Sequence, residues 1–342
     1  MSTPLTHYTV VLTDSQARAL ETYCREHGFT FRAVPHARFG AFRDDVHVVC
    51  YQSGKAVVQG RGTRDFVQFV LEPEILQQAR LGYELELQPE LKRARIGVDE
   101  SGKGDLFGPL CVAAVYVNES VVRAWQETGI RDSKRVGSDA AIRQLARQIR
   151  GTPGCRFELV VIGNEAYNRC WARLGNVNRL LAWAHARAVE NLLQRGSLLK
   201  PFPERVISDQ FARDPGLVQR ALMLRGRQLE LIQRHRAEAD PAVAAASILA
   251  REAFLDRLAQ MSRRWEVPLP RGAGSEAKAA LRQLIQRHGP DACRKTTKLH
   301  FRTVAEVLRE LGLPPLPDWV RSGPASSEAE ASPGTAGQEG AS

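Results

Sequence analysis

The chain has 342 residues, 43% of them apolar and 25% charged, which is the make-up of a soluble globular protein with material for one large domain or two ordinary ones. A net charge of +10 and a pI near 9.6 favour a polyanionic partner, most simply nucleic acid. Six scattered cysteines without a C-x-x-C pair argue against a zinc site or a disulfide framework and fit a reducing cytoplasm, and no apolar run is long enough to span a bilayer.

In chain order, loose alternation predicts a strand over 7–12, and Thr13-Asp14-Ser15-Gln16 reads as a capping box opening a helix that ends before Gly28. Three short strands are expected over 30–34, 45–51 and 55–59, then a helix from about Thr63 into Leu76. Residues 1–80 thus form a small α+β unit, and the polar, charge-mixed stretch 81–94 reads as a linker.

The pattern changes at Ile96-Gly97-Val98-Asp99-Glu100-Ser101-Gly102-Lys103-Gly104-Asp105, where an apolar run ends in two carboxylates and a glycine-punctuated turn. Successive strand residues face opposite sides, so Asp99 and Glu100 are expected to serve one site by leaving strand geometry there, an exit that Gly102 and Gly104 permit. Close carboxylates repel unless a cation lies between them, and hard oxygen donors suit Mg²⁺ or Mn²⁺. The turn also offers backbone N–H groups and Lys103 to a phosphate or sugar edge. In isolation the stretch reads more readily as an acidic hairpin end followed by a flexible loop, and company further along the chain shifts that reading.

Strands over 96–100 and 110–117 form an antiparallel hairpin around that turn, and 157–162 supplies a third strand. A long helix follows over 177–193 with Leu180, Leu181, Ala184, Ala188 and Leu192 on one face. Residues 205–209 form a short strand ending in Asp209, and 228–232 another; Pro241 then opens an alanine-rich helix reaching about Met261. Amphipathic segments over 276–288 and 298–311 close the body, and the Ser/Gly/Ala/Glu tail over 321–342 reads as disordered. Trp171 and Trp183 read as core aromatics.

Five motifs occur in the order seen in type 2 ribonucleases H: Asp99-Glu100-Ser101-Gly102-Lys103-Gly104, Arg131-Asp132-Ser133-Lys134, Ser208-Asp209-Gln210-Phe211, Ala237-Glu238 with Ala244-Ala245-Ala246-Ser247, and Lys298-Leu299-His300-Phe301. Over about residues 5–315 the chain most resembles the ribonuclease HIII family. Glu238 stands where the HII sibling has aspartate, and the chain carries an N-terminal unit that HII lacks. The tyrosine with which HII senses a single ribonucleotide is absent, since the last tyrosine is Tyr167. Arg236 replaces a lysine common in the family before Ala-Glu.

The resemblance implies an α/β fold: a ribonuclease H-like catalytic domain over 95–320 with a mixed sheet and flanking helices, preceded by a small TATA-binding-protein-like α+β domain. It implies an endoribonuclease that hydrolyses the RNA strand of RNA–DNA hybrids with two divalent ions, leaving 5′-phosphate and 3′-hydroxyl ends, and a monomer without a membrane or obligate protein partner. Asp99, Glu100, Asp209 and Glu238 are the implied catalytic metal ligands. Ser101, Gly102, Lys103, Gly104, Arg131, Ser133 and Lys134 are the implied substrate contacts. Glu238 also suits a helix N-terminus, Asp105 suits turn ordering, and His300 suits packing. Two other functions stay open: incision at isolated ribonucleotides on the same fold, and hybrid binding without cleavage.

Overall fold

Thr13 starts the first helix as its capping box requires: its hydroxyl accepts the Gln16 N–H, and Gln16 Oε1 accepts the Thr13 N–H at 3.0 Å. In the computed structural model, which describes residues 5–78, 88–126, 128, 130, 138–212, 214, 216–235 and 237–315, this helix (α1, Asp14–Glu26) packs on an antiparallel sheet. The strands are β1 (His7–Val11), β2 (Thr30–Arg32), β3 (Ala37–Arg43), β4 (Val46–Tyr51) and β5 (Lys55–Gln59), in the order β1-β5-β4-β3-β2. Leu20, Cys24, Val48, Val58 and Leu71 lie in its core.

β3 escapes the sequence reading because Gly40 interrupts its alternation. The glycine is needed, since a Cβ there would lie 2.6 Å from the Val34 side chain. The expected helix after Thr63 is α-helical only over Thr63–Phe66 (α2) and continues as a wider π-type helix over Val67–Leu76. Pro73 lies inside that stretch and lacks the N–H that a regular α-helical ladder would use.

The second sheet is mixed. β6 (Arg95–Ser101), β7 (Leu110–Val117) and β8 (Arg156–Ile162) pair antiparallel, while β9 (Arg205–Asp209) runs parallel to β6, and β10 (Glu230–Arg234) parallel to β9. The order β10-β9-β6-β7-β8 places the acidic ends of β6 and β9 side by side. Three helices to which the sequence reading assigns no element join the strands: α3 (Glu119–Ala124), α4 (Asp139–Gly151) and α5 (Asn164–Leu174). Their start signals are present, since Asn118 and Ser138 cap α3 and α4.

α6 (Val177–Leu193) covers one face of this sheet, where Leu181, Ala184 and Ala188 meet Val98, Val112 and Ala114. After a short α7 (Gly216–Ala221), the long α8 (Pro241–Trp265) covers the other face, where its alanines meet Ala113 and Val115. The alanines of α8 answer Gly97: a Cβ on Gly97 would sit 2.2 Å from the Ala242 carbonyl carbon and 2.3 Å from Val243 N, so helix and strand backbones touch. Asp240 fixes the start of α8 by accepting the Ala242 N–H and holding the buried Arg95 guanidinium at 2.8 Å. α9 (Ser275–His288), α10 (Ala292–Thr296) and α11 (Arg302–Glu310) complete the body.

The expected linker core at 79–87, the Arg131, Ser133 and Lys134 contacts, Arg236 and the tail lie outside the described residues. Among the described residues no helix is long and apolar enough to cross a membrane.

Candidate active site

Asp99 and Glu100 do not leave strand geometry. Both lie within β6, opposite Ala113 and Val112 of β7. Ala113 belongs to the core under α8 and Val112 to the core under α6, so the two carboxylates sit on opposite faces of the sheet. The glycine turn begins only after Ser101, the last residue of β6. The strand persists because β7 pairs with it through Ser101↔Cys111, and sheet hydrogen bonds outweigh the freedom the glycines allow.

On the α8 face, Asp99 accepts a hydrogen bond from the Ser247 hydroxyl and from the Glu100 N–H at 2.9 Å. Burial, then the charge of Glu100, pushes the Asp99 carboxyl up to about 7. Asp209 ends β9 one residue past the Val98↔Ser208 pair, which sets it beside Asp99 on the same face. Its Oδ1 faces the Ala237 N–H at 3.4 Å, so the 3₁₀ turn Ala237–Ala239 carrying Glu238 lies against it. On the α6 face, His185 Nε2 meets Glu100 Oε2 at 2.9 Å. Burial opposes ionisation of Glu100, but the hydrogen bond and charge of His185, with the charge of Lys103, outweigh it and hold the carboxyl below its usual range.

Among the described residues no three His, Cys, Asp or Glu side chains surround one point, and Glu100 stands on the opposite face of the sheet from Asp99. The donor set nevertheless fits a hard divalent cation. It consists of carboxylate oxygens at one sheet end, and burial beside the Glu100 charge, which raises the Asp99 carboxyl, is a cost that a bound cation would offset.

The glycine loop is built for close approach. Gly102 has φ +94°, and a Cβ on it would lie 2.3 Å from the Pro109 carbonyl and 2.9 Å from the Phe254 ring. Gly104 has open space around it. Lys103 projects over the Phe211 ring, 5.5 Å from its centroid. Asp105 orders the turn by accepting the Gly272 N–H at 2.6 Å. Behind the loop the buried Lys298 ammonium donates to the Asp105 and Gly108 carbonyls at 2.9 and 2.7 Å, and burial pushes its pKa down to about 8. Neither Lys298 nor His185 is assigned such a role by the sequence reading. The signal for His185 is its polar side chain inside the apolar stripe of α6.

His300 packs, stacked between Trp171 and Tyr167 at 5.3 and 5.6 Å. Burial, then the Lys298 charge, lowers its imidazole to about 4. The unfolded chain therefore binds the extra proton between about pH 6.5 and 4, and stability is lost as pH falls through that window. Replacing His300 by Phe keeps the stack and should cut the loss between pH 7 and 4.5 by about 2 kcal/mol in urea titrations. Trp183, expected in the core, is 38% exposed, with the Arg187 guanidinium 5.8 Å from its ring.

A sequence profile of the Ribonuclease HII family matches residues 96–304. The chain is 40% identical to the Ribonuclease HIII of Protochlamydia amoebophila, over 84% of this chain and 92% of that protein. It is 42% identical to the Ribonuclease HIII of Chlamydia trachomatis serovar L2, over 87% and 96%. The chain belongs to the ribonuclease HIII family. Among solved structures, Bst-RNase HIII in complex with Mn²⁺ superposes with a TM-score of 0.61 at 28% identity, over 89% of this chain and 99% of that one. Aquifex aeolicus RNase H3, at 23% identity and a TM-score of 0.50, shares the fold. Ribonuclease HIII membership makes the chain a metal-dependent ribonuclease H enzyme, with the mixed sheet and the N-terminal antiparallel sheet that its fold requires.

Proposed function

We propose that the protein is an endoribonuclease that hydrolyses the RNA strand of RNA–DNA hybrids and leaves 5′-phosphate and 3′-hydroxyl ends. The observation that supports this reading is the position of Asp99 and Asp209 on one face, each one residue past the last β6–β9 pair, with Glu238 on the turn beside Asp209 and Glu100 across the strand. Two divalent ions, Mg²⁺ or Mn²⁺, would be held by these four residues, and when bound would activate the attacking water and stabilise the departing 3′-oxygen.

The protein's own residues supply the rest. Ser101, Gly102, Lys103 and Gly104 bring polar backbone to the ribose, where the 2′-hydroxyl distinguishes RNA from DNA. Lys298 keeps that loop in place through the Asp105 and Gly108 carbonyls. Arg131, Ser133 and Lys134 bind phosphate in this reading. Beside Pro109, a concavity of about 730 Å³ lined by Arg169, Arg257, Arg264 and Lys295 adds sequence-independent affinity for a phosphate backbone. In the N-terminal unit, Arg38 and Arg43 are drawn to Asp14 and Asp45, so Arg61 is a better phosphate contact than either. The domains proposed are 1–80 for substrate binding, 81–94 as linker and 95–320 for catalysis, acting as a monomer in the cytoplasm.

Incision at isolated ribonucleotides lacks its sensor: Tyr167, the last tyrosine, is wholly buried beneath His300 and Lys298. The test is the product. Cleavage of a labelled hybrid should stop on chelation, return with Mn²⁺ or Mg²⁺, and yield ends that a ligase joins without phosphatase or kinase treatment. Cyclic phosphate or 5′-hydroxyl ends would overturn the mechanism.

A further inference from the structure

A buried histidine inside an otherwise apolar helix face costs stability unless it makes a bond that matters. His185 is 1% exposed, lies among Leu181, Ala184 and Ala188 on α6, and meets the Phe211 ring edge-on at 5.0 Å. Among the described residues its Nδ1 has no hydrogen-bond partner, and its one hydrogen bond is Nε2 to Glu100 Oε2 at 2.9 Å. A carboxylate only accepts, so Nε2 carries the hydrogen and donates, whatever the state of Nδ1.

Glu100 needs such a partner more than Asp99 does. Asp99 is on a short side chain, tied to Ser247 and to the Glu100 N–H, on the face it shares with Asp209. Glu100 lies on the opposite face with one more rotatable bond, and can serve the same sheet end only if its carboxylate is held at the rim. We propose that His185 is a positioning residue: by holding Oε2 of Glu100 from beneath, it leaves Oε1 for a divalent cation at the ends of β6 and β9. The inference rests on the reading of Glu100 as a cation ligand.

The test measures Mn²⁺ binding by calorimetry on the full chain for wild type and for H185L, H185N, H185Q and E100Q, with thermal unfolding as a check on folding. Gln places its amide nitrogen at about the reach of Nε2, whereas Asn falls short. The expected result is a Mn²⁺ affinity weakened about 10–100-fold in H185L and H185N. H185Q should return to within about threefold of wild type, and KM for a hybrid at saturating Mn²⁺ should stay unchanged in the His185 variants. If H185L fails to fold, the contrast between H185N and H185Q decides the matter. Wild-type Mn²⁺ affinity in H185N, with E100Q weak, would overturn the positioning role. Wild-type affinity in E100Q would overturn it through the ligand reading on which it stands.

Discussion

Asp99→Asn should lower hybrid cleavage by at least about 10³-fold while leaving hybrid affinity within a few-fold, because the change removes a charge that the reaction needs and keeps the shape of the site. The same substitution should stabilise the metal-free protein. Asp99 has its carboxyl pushed from 3.8 up to about 7 by burial and then by Glu100. The folded state therefore binds the proton more tightly than the unfolded state between those values, and stability is lost as pH rises through that window. At pH 8 in chelator the ionised Asp99 opposes folding, and Asn should raise the Tm. Added Mn²⁺ should then stabilise wild type and leave D99N nearly unmoved. A D99N protein with lower Tm and wild-type cleavage would place the chemistry elsewhere.

Gly97→Ala should be among the most damaging single methyl additions in the body. The new Cβ would meet backbone atoms of Ala242 and Val243 at 2.2 and 2.3 Å, and neither can turn aside as a side-chain tip could. α8 would have to lift from β6, separating Ser247 from Asp99 and moving the Ala237–Ala239 turn away from Asp209. Overpacking usually costs about 1–3 kcal/mol, and a backbone clash at the main helix–sheet contact belongs at or above the top of that range. Equilibrium unfolding in urea checks this. A loss under about 1 kcal/mol would show that α8 shifts freely, and would weaken the view that its start is fixed by Asp240 and Arg95.

These effects show what was legible in the sequence. The order of strands around Asp99, Asp209 and Glu238 could be read because each strand ends on a polar residue after an apolar run, and the helix over 177–193 because its apolar face is unbroken. The family resemblance, the mixed sheet and the small N-terminal α+β unit agree with the comparisons and the fold. The split of Asp99 and Glu100 across β6 was not foreseen, since the two glycines suggested an earlier exit and only the β7 pairing keeps the strand going. His185 and Lys298 act on residues 85 and 190–193 positions away, and local pattern, which marks His185 only as a polar residue inside an apolar stripe, does not say what they reach. Trp183 lies on the one side of α6 turned to solvent, which hydrophobicity alone does not reveal.

The most direct test of the functional reading uses purified protein with Mg²⁺ or Mn²⁺ and two labelled duplexes: a continuous RNA strand on DNA, and a DNA duplex holding one ribonucleotide. The account predicts cutting of the first at many positions and sparing of the second, since Tyr167 is buried. Efficient incision beside the single ribonucleotide would contradict it by revealing a junction sensor elsewhere, and failure to cut either duplex would contradict it by leaving a hybrid-binding protein.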